Sequence, residues 1–235
     1  MENLTINTQP NDETCGATCL HAIYKYYDLE IPLEDIILNV KRSRSGGTLA
    51  AFLGLHALER GFKATIYINN VDIFDPTWFT ASGDAQKDIL TKLDQQLAFN
   101  EHEDIIQSTM AYQDYIKKGG VVRFRTLNSR LLKSYFDRNI PILTGLSATY
   151  LYRCKRELFV NGVSVGDDIQ GAPCGHFVVL CGYDNSHRHI VVADPAGPNP
   201  ISHDNYYKVS SARLINAIML GVLTYDANLL IIEPN

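Results

Sequence analysis

The chain has 235 residues, 46% hydrophobic and 20% charged, with a formal net charge of −5. That supplies enough apolar material for a globular core, and an acidic balance without a basic stripe excludes nucleic acid as the main partner. No apolar run approaches the roughly 18 residues that span a bilayer.

The start, Met1-Glu-Asn-Leu-Thr, lacks the charged and apolar regions of a secretory signal. Cysteines at 15, 19, 154, 174 and 181 are odd in number and follow no disulfide framework spacing. A reducing cytoplasm and no membrane partner are the expectation. In chain order, a polar stretch containing Pro10 leads to Cys15-Gly16, after which Ala17, Leu20, Ile23, Tyr24 and Tyr27 recur at helical spacing. Cys15 therefore opens a helix, where unpaired backbone N–H groups and the positive end of the macrodipole favour a thiolate. Gln9 lies six residues upstream. Its loop can fold back so that the side-chain amide, together with the Cys15 backbone N–H, makes an oxyanion hole.

Ile31–Val40 reads as a short helix with Pro32 in its first turn. Ser45-Gly46-Gly47-Thr48 is a turn that lacks the Lys and Ser/Thr of a phosphate loop. Thr48 is expected to cap a helix over Leu49–Arg60 that Gly61 closes, and Lys63–Ile68 follows as a strand. The charged, periodic stretch 84–118 reads as one or two helices inserted between a cysteine half and a histidine half. Val121–Arg125 is a short strand, Leu131–Arg138 a helix, Ile140–Leu146 a strand, and Leu229–Glu233 a late strand.

Gly175-His176-Phe-Val-Val-Leu-Cys-Gly-Tyr-Asp184 and Ile190-Val-Val-Ala-Asp194-Pro195 are β-branched runs around a polar turn, hence an antiparallel hairpin. With the turn centred near Ser186, the residue opposite His176 falls near 196, within about two positions. Asp194 then sits beside or diagonally across from His176. Asp184 is about 26 Å further along the same strand and cannot reach. In this reading Asp194 accepts the Nδ1–H of His176 and leaves Nε2 for the Cys15 thiol.

Gln9, the Cys15-Gly16 helix start, Gly175-His176-Phe177 and Asp194-Pro195 together resemble papain-like cysteine peptidases, and in detail the peptidase C39-like family. The matches span residues 9 to 195 in the right order. The resemblance implies a single α+β domain over 1–235 with a papain-like cysteine peptidase fold: a helical N-terminal part carrying the nucleophile, then a mostly antiparallel sheet carrying His and Asp. It implies a hydrolase acting on peptide or amide bonds through a thioester. Cys15 is the nucleophile, His176 the base, Asp194 its orienting group and Gln9 an oxyanion donor, with no cofactor and no metal. Thr14 departs from the Asp that many members carry before the cysteine, and nothing in the chain resembles the membrane and ATPase domains of bacteriocin exporters. The same machinery with an amine or thiol acceptor would be an acyltransferase or transpeptidase, as in phytochelatin synthases, which share a Gly-His-Phe strand. A silent binding module is the third reading. Its weakness is that such a module has no physical need for all four residues.

Other features read more plainly. Cys19, one turn below Cys15, is a small buried hydrophobe, and Cys174 shares a strand face with His176 as a structural thiol. His187, His189 and His203 fit no zinc spacing. His21 belongs to the helix surface or the core, and the aromatics at Tyr24–Tyr27 and Tyr150–Tyr152 are core and pocket wall.

Overall fold

The computed structural model describes the chain except for residues 2, 45, 161–162, 185–188, 198 and 225–226. Its first three elements are helices: α1 (Cys15–Tyr26), α2 (Leu33–Asn39) and α3 (Ala50–Glu59). Pro32 stands at the N-cap of α2, one residue outside the first turn in which it was expected. Thr48 does not cap α3. Leu49 occupies that position without a side-chain cap, and the Thr48 hydroxyl donates to Lys41 O at 2.8 Å, closing the preceding loop on itself. Gly61, at φ +83°, ends α3 in the left-handed region as its type predicts.

Next come β1 (Lys63–Ile68), α4 (Ile89–Leu97), α5 (Glu103–Lys117), β2 (Val121–Arg123), α6 (Ser129–Phe136) and β3 (Ile142–Ser147). The charged stretch thus forms two helices. Glu103 and Asp104 in the first turn of α5 and Lys117 in its last complement the helix dipole. The buried hydroxyl of Tyr115 donates to Ala64 O at 2.6 Å and Val121 O at 3.2 Å, fastening α5 to β1 and β2. Asn128 caps α6 by accepting from Leu131 N–H, which moves that helix start forward to Ser129.

The remainder is α7 (Ala148–Tyr152), β4 (Glu157–Val160), β5 (Val163–Gly166), β6 (Gly175–Tyr183), β7 (His189–Ala193), β8 (Tyr206–Ser210), α8 (Ser211–Met219) and β9 (Asn228–Glu233). Seven strands form one sheet in the order β2-β1-β9-β3-β6-β7-β8, antiparallel throughout except for β1 and β2. β4 and β5 make a separate hairpin. Along β6 successive side chains enter two cores. Phe177, Val179 and Cys181 pack with Leu20 of α1 and Leu53 of α3, whereas Val178 and Leu180 pack with Leu132 of α6 and Leu214 of α8. A strand buried on both faces explains the unbroken apolar run. Each fully buried branched side chain contributes on the order of 2 kcal/mol.

The β6–β7 register is Val179↔Ala193 and Leu180↔Val192, with a bulge before Tyr183↔Ile190 where Gly182 takes φ +118°. Continued three residues, that register puts position 196 opposite His176, as the turn arithmetic predicts. The expected turn centre, Ser186, lies outside the described residues, as do Ser45 of the Gly-Gly loop and His187. No helix among the described residues is long and apolar enough to cross a membrane.

Candidate active site

Cys15 is the first residue of α1 and is 8% exposed. A tight turn delivers it there: Thr14 N–H and the Thr14 hydroxyl both donate to Asn11 O, at 3.3 and 2.9 Å. Thr14 makes no side-chain cap, and the first turn of α1 holds no acidic residue, so no side chain competes for the donors at the helix start. Gly16 is there for space. A Cβ on it would come within 2.5 Å of the Thr48 methyl and 3.2 Å of both Leu53 and Phe177. One turn on, the Cys19 thiol donates to Phe177 O at 3.3 Å, so α1 lies directly against β6, the strand that carries the histidine.

His176 is buried, and Asp194 is wholly so. His176 Nε2 and Asp194 Oδ1 are 2.8 Å apart. The pairing expected from the hairpin is therefore present, but through the other ring nitrogen. Asp194 holds Nε2, not Nδ1, which leaves Nδ1 as the nitrogen free for a thiol. Strand arithmetic brings two residues together and says nothing about which edge of a ring faces which partner. Burial pushes the His176 imidazole down, but the Asp194 carboxylate, then a hydrogen bond with the Cys15 thiol, carry it the other way, to about 10. For Asp194 burial acts upward, yet His176 and two tyrosine hydroxyls hold the carboxyl below its ordinary range. Asp184 pairs with His189 at 3.6 Å and takes no part.

Cys15 and His176 line a cavity of about 380 Å³. Its other walls include Gly47 and Thr48, Leu223 and Thr224, and Asp104, Gln107 and Ser108 of α5. Asp12, Glu13 and Asp104 are on its lining, and among the described residues no lysine or arginine is. Gln9 is not part of this lining. Its backbone N–H donates to Pro195 O at 2.8 Å, which runs its loop alongside the residue after Asp194. Its side-chain amide makes no hydrogen bond among the described residues, and Oε1 is buried.

Burial pushes the Cys19, Cys154, Cys174 and Cys181 thiols up. His21 is a buried helix residue, and His189 is engaged with Asp184. Among the described residues no group of three or more His, Cys, Asp or Glu could hold a metal ion.

The sequence reading missed several partners of the pair. Tyr152 and Tyr207 both donate to Asp194 Oδ2, Ala196 N–H donates to Oδ1, and Asn205 brackets the Asp194 backbone from both sides. A signal existed for Tyr207. The stretch 206–210 alternates exposed and buried residues, and in the β7–β8 register Val192 faces Tyr207, which puts Tyr207 diagonal to Asp194. For Tyr152 and the α5 wall no local signal exists.

A cysteine at a helix start, packed against a mostly antiparallel sheet that bears a paired His and Asp, defines the papain-like cysteine peptidase class. Within that class the chain belongs to the Peptidase_C39 like family, whose pattern matches residues 1–214. Similar solved structures include a proposed C39-like peptidase from Bacillus anthracis, with TM-score 0.50 and 14% identity, covering 100% of this chain and 96% of that one. Xylellain, a cysteine protease from Xylella fastidiosa, aligns with TM-score 0.45 and 14% identity over 99% of this chain and 84% of its own. A double glycine motif protease from an AMS/PCAT transporter, solved in complex with the leader peptide, gives 0.44 and 16%, covering 98% and 91%. At these identities the first of the three supports the fold, and the other two carry no further argument. Among curated proteins none matches this sequence significantly.

Proposed function

We propose that the protein is a cysteine peptidase or amidohydrolase that works through a thioester. The observation that carries this reading is the buried His176–Asp194 pair, with His176 lining the same cavity as a cysteine that opens a helix. The thiol proton already rests on His176 Nδ1 before attack, as a thiolate–imidazolium pair, and Cys15 Sγ then bonds to the carbonyl carbon. Negative charge gathers on the carbonyl oxygen, where the Cys15 backbone N–H and the Gln9 side-chain amide donate to it. His176 returns its proton to the departing amine as the C–N bond breaks. Water, deprotonated by the same imidazole, then hydrolyses the thioester. Asp194 keeps Nε2 occupied throughout, which fixes the ring and compensates its charge. None of these steps calls on a metal or cofactor.

The substrate reading is a peptide or amide segment without negative charge near the bond that breaks, because Asp12, Glu13 and Asp104 line the cavity and no lysine or arginine does among the described residues. We take the chain as one domain in which α4 and α5 are an insertion, with α5 supplying the cleft wall through Asp104, Gln107 and Ser108. A cytoplasmic location suits a reactive thiol.

The test is incubation of purified protein with peptide and amide libraries, read by mass spectrometry, with Cys15→Ala as control. Products that vanish in the control support hydrolysis. Condensed products on adding amines would instead establish acyl transfer. If no library member is altered while Cys15 remains fully alkylatable, the silent binding module is the better description.

A further inference from the structure

Tyr152 ends α7 and Tyr207 lies on β8, two segments far from each other in sequence. Both hydroxyls reach the same carboxylate oxygen, Asp194 Oδ2, at 2.7 Å. The other oxygen, Oδ1, accepts from His176 Nε2 at 2.8 Å and from Ala196 N–H at 2.9 Å. A carboxylate offers about four lone-pair directions, and here each has a donor. Hydroxyl contacts this short are charge-assisted. Burial, and after it the Asp194 charge, push both tyrosine hydroxyls up, so they remain protonated donors. Tyr152 also covers part of the imidazole, its ring centroid 6.1 Å from that of His176 at 50°.

We propose that Tyr152 and Tyr207 are positioning residues of the reaction: their hydroxyls hold the Asp194 carboxylate anionic and unable to rotate, so that His176 stays locked through Nε2 and offers Nδ1 to Cys15. This rests on the catalytic reading of Cys15 and His176. The physical need is plain. Asp194 has no solvent contact, and an ionised carboxylate in such a place is stable only when fully hydrogen-bonded. His176 supplies one bond, and the backbone N–H of Ala196 another. Without the tyrosines Oδ2 would be a bare buried anion oxygen, and the carboxyl would take up a proton or swing away from the ring. Either change frees the imidazole to turn and removes the charge that keeps it an imidazolium.

Tyr152→Phe, Tyr207→Phe and the double variant test this, because phenylalanine removes the hydroxyl and keeps the ring. Each single change should lower kcat about tenfold, the value of one hydrogen bond to a charged group, with KM within about twofold. The acid limb of kcat/KM should move to higher pH, because a less stabilised carboxylate protonates earlier. Two readouts do not depend on having found a substrate: the pH titration of the His176 ring by NMR, and the rate of Cys15 alkylation by iodoacetamide. In each variant the imidazolium should lose its proton at lower pH, and alkylation at pH 6 should slow. A lowered Tm with both readouts as in the wild type overturns the proposal and makes the tyrosines mere packing. A rise in KM alone also overturns it. If Tyr152→Phe fails to fold, Tyr207→Phe decides. Should the wild type cleave nothing, the titration and alkylation still judge the positioning role apart from the peptidase reading.

Discussion

His56 and His176 are both buried, at 3% and 8% exposure, and their surroundings drive them to opposite charge states. His56, on α3, meets the Tyr24 hydroxyl at Nδ1 at 2.7 Å and stacks on that ring at 5.7 Å, while its Nε2 has no partner among the described residues. Burial, reinforced by the Arg60 cation, pushes it down to about 4. His176 is buried too, yet it ends near 10, because the Asp194 carboxylate stands against Nε2 and, after it, the Cys15 thiol adds to the rise. Burial alone discharges a histidine; a buried anion with its own hydrogen bonds reverses the outcome. The core uses His56 as a polar aromatic, whereas the site uses His176 as a held charge.

The sharpest way to break this comparison is to remove the groups themselves. Cys15→Ala or His176→Gln should cost at least about 10⁴-fold in the turnover of any substrate found, as in other nucleophile–base pairs. His56→Gln should leave turnover within a few-fold and instead lose about 1–3 kcal/mol of stability, measured by urea unfolding. A catalytic effect at His56 comparable with that at His176 would erase the distinction.

Asp194→Asn comes next. It keeps the shape and removes the charge, and should lower kcat by about 10²- to 10⁴-fold and return His176 toward an ordinary histidine in an NMR titration. Asp184→Asn, which touches His189 only, should change rate less than about threefold. If Asp184→Asn were the more damaging, the assignment of the orienting group would be wrong.

Gln9→Ala should reduce kcat by about 10²- to 10³-fold, the usual effect of one lost oxyanion donor. Tm should move little, because the side chain makes no hydrogen bond in the described structure. A near-wild-type rate would show that the hole is built from other donors.

The smallest effect is on stability against pH, and here the two histidines have opposite signs. His176 is raised above its ordinary 6.5. Its contribution is full below pH 6.5 and fades as pH climbs through about 10. His56 is lowered, so its share is present above pH 6.5 and fades as pH falls toward 4, where the unfolded chain binds a proton that the core refuses. Asp194, held low, adds a further loss below its ordinary value of 3.8. Thermal scans across pH 3–11 should show the acid-side slope flattened in His56→Gln and the alkaline slope flattened in His176→Gln. Unchanged slopes in both variants would mean that other groups set the pH dependence.

The sequence by itself determined the elements whose cause is local. The periodicity after Cys15 fixes a helix start at the cysteine, and the spacing of two β-branched runs fixes a hairpin whose observed register sets 196 opposite His176 and brings Asp194 to it. Gly61 marks the end of α3 through backbone sterics alone. Where a side chain had two partners to choose from, the sequence was silent. Thr48 bonds back to Lys41 O instead of capping α3, and Asn128, not the apolar pattern, decides where α6 begins. Only the tertiary structure decided that Asp194 faces Nε2, that Tyr152 joins its hydrogen bonds, and that α5 walls the cleft. The reason is range. Periodicity and turn chemistry act over a few residues, whereas the orientation of a ring and the satisfaction of a buried charge depend on atoms from separate segments, His176 being 18 and Tyr152 42 residues from Asp194.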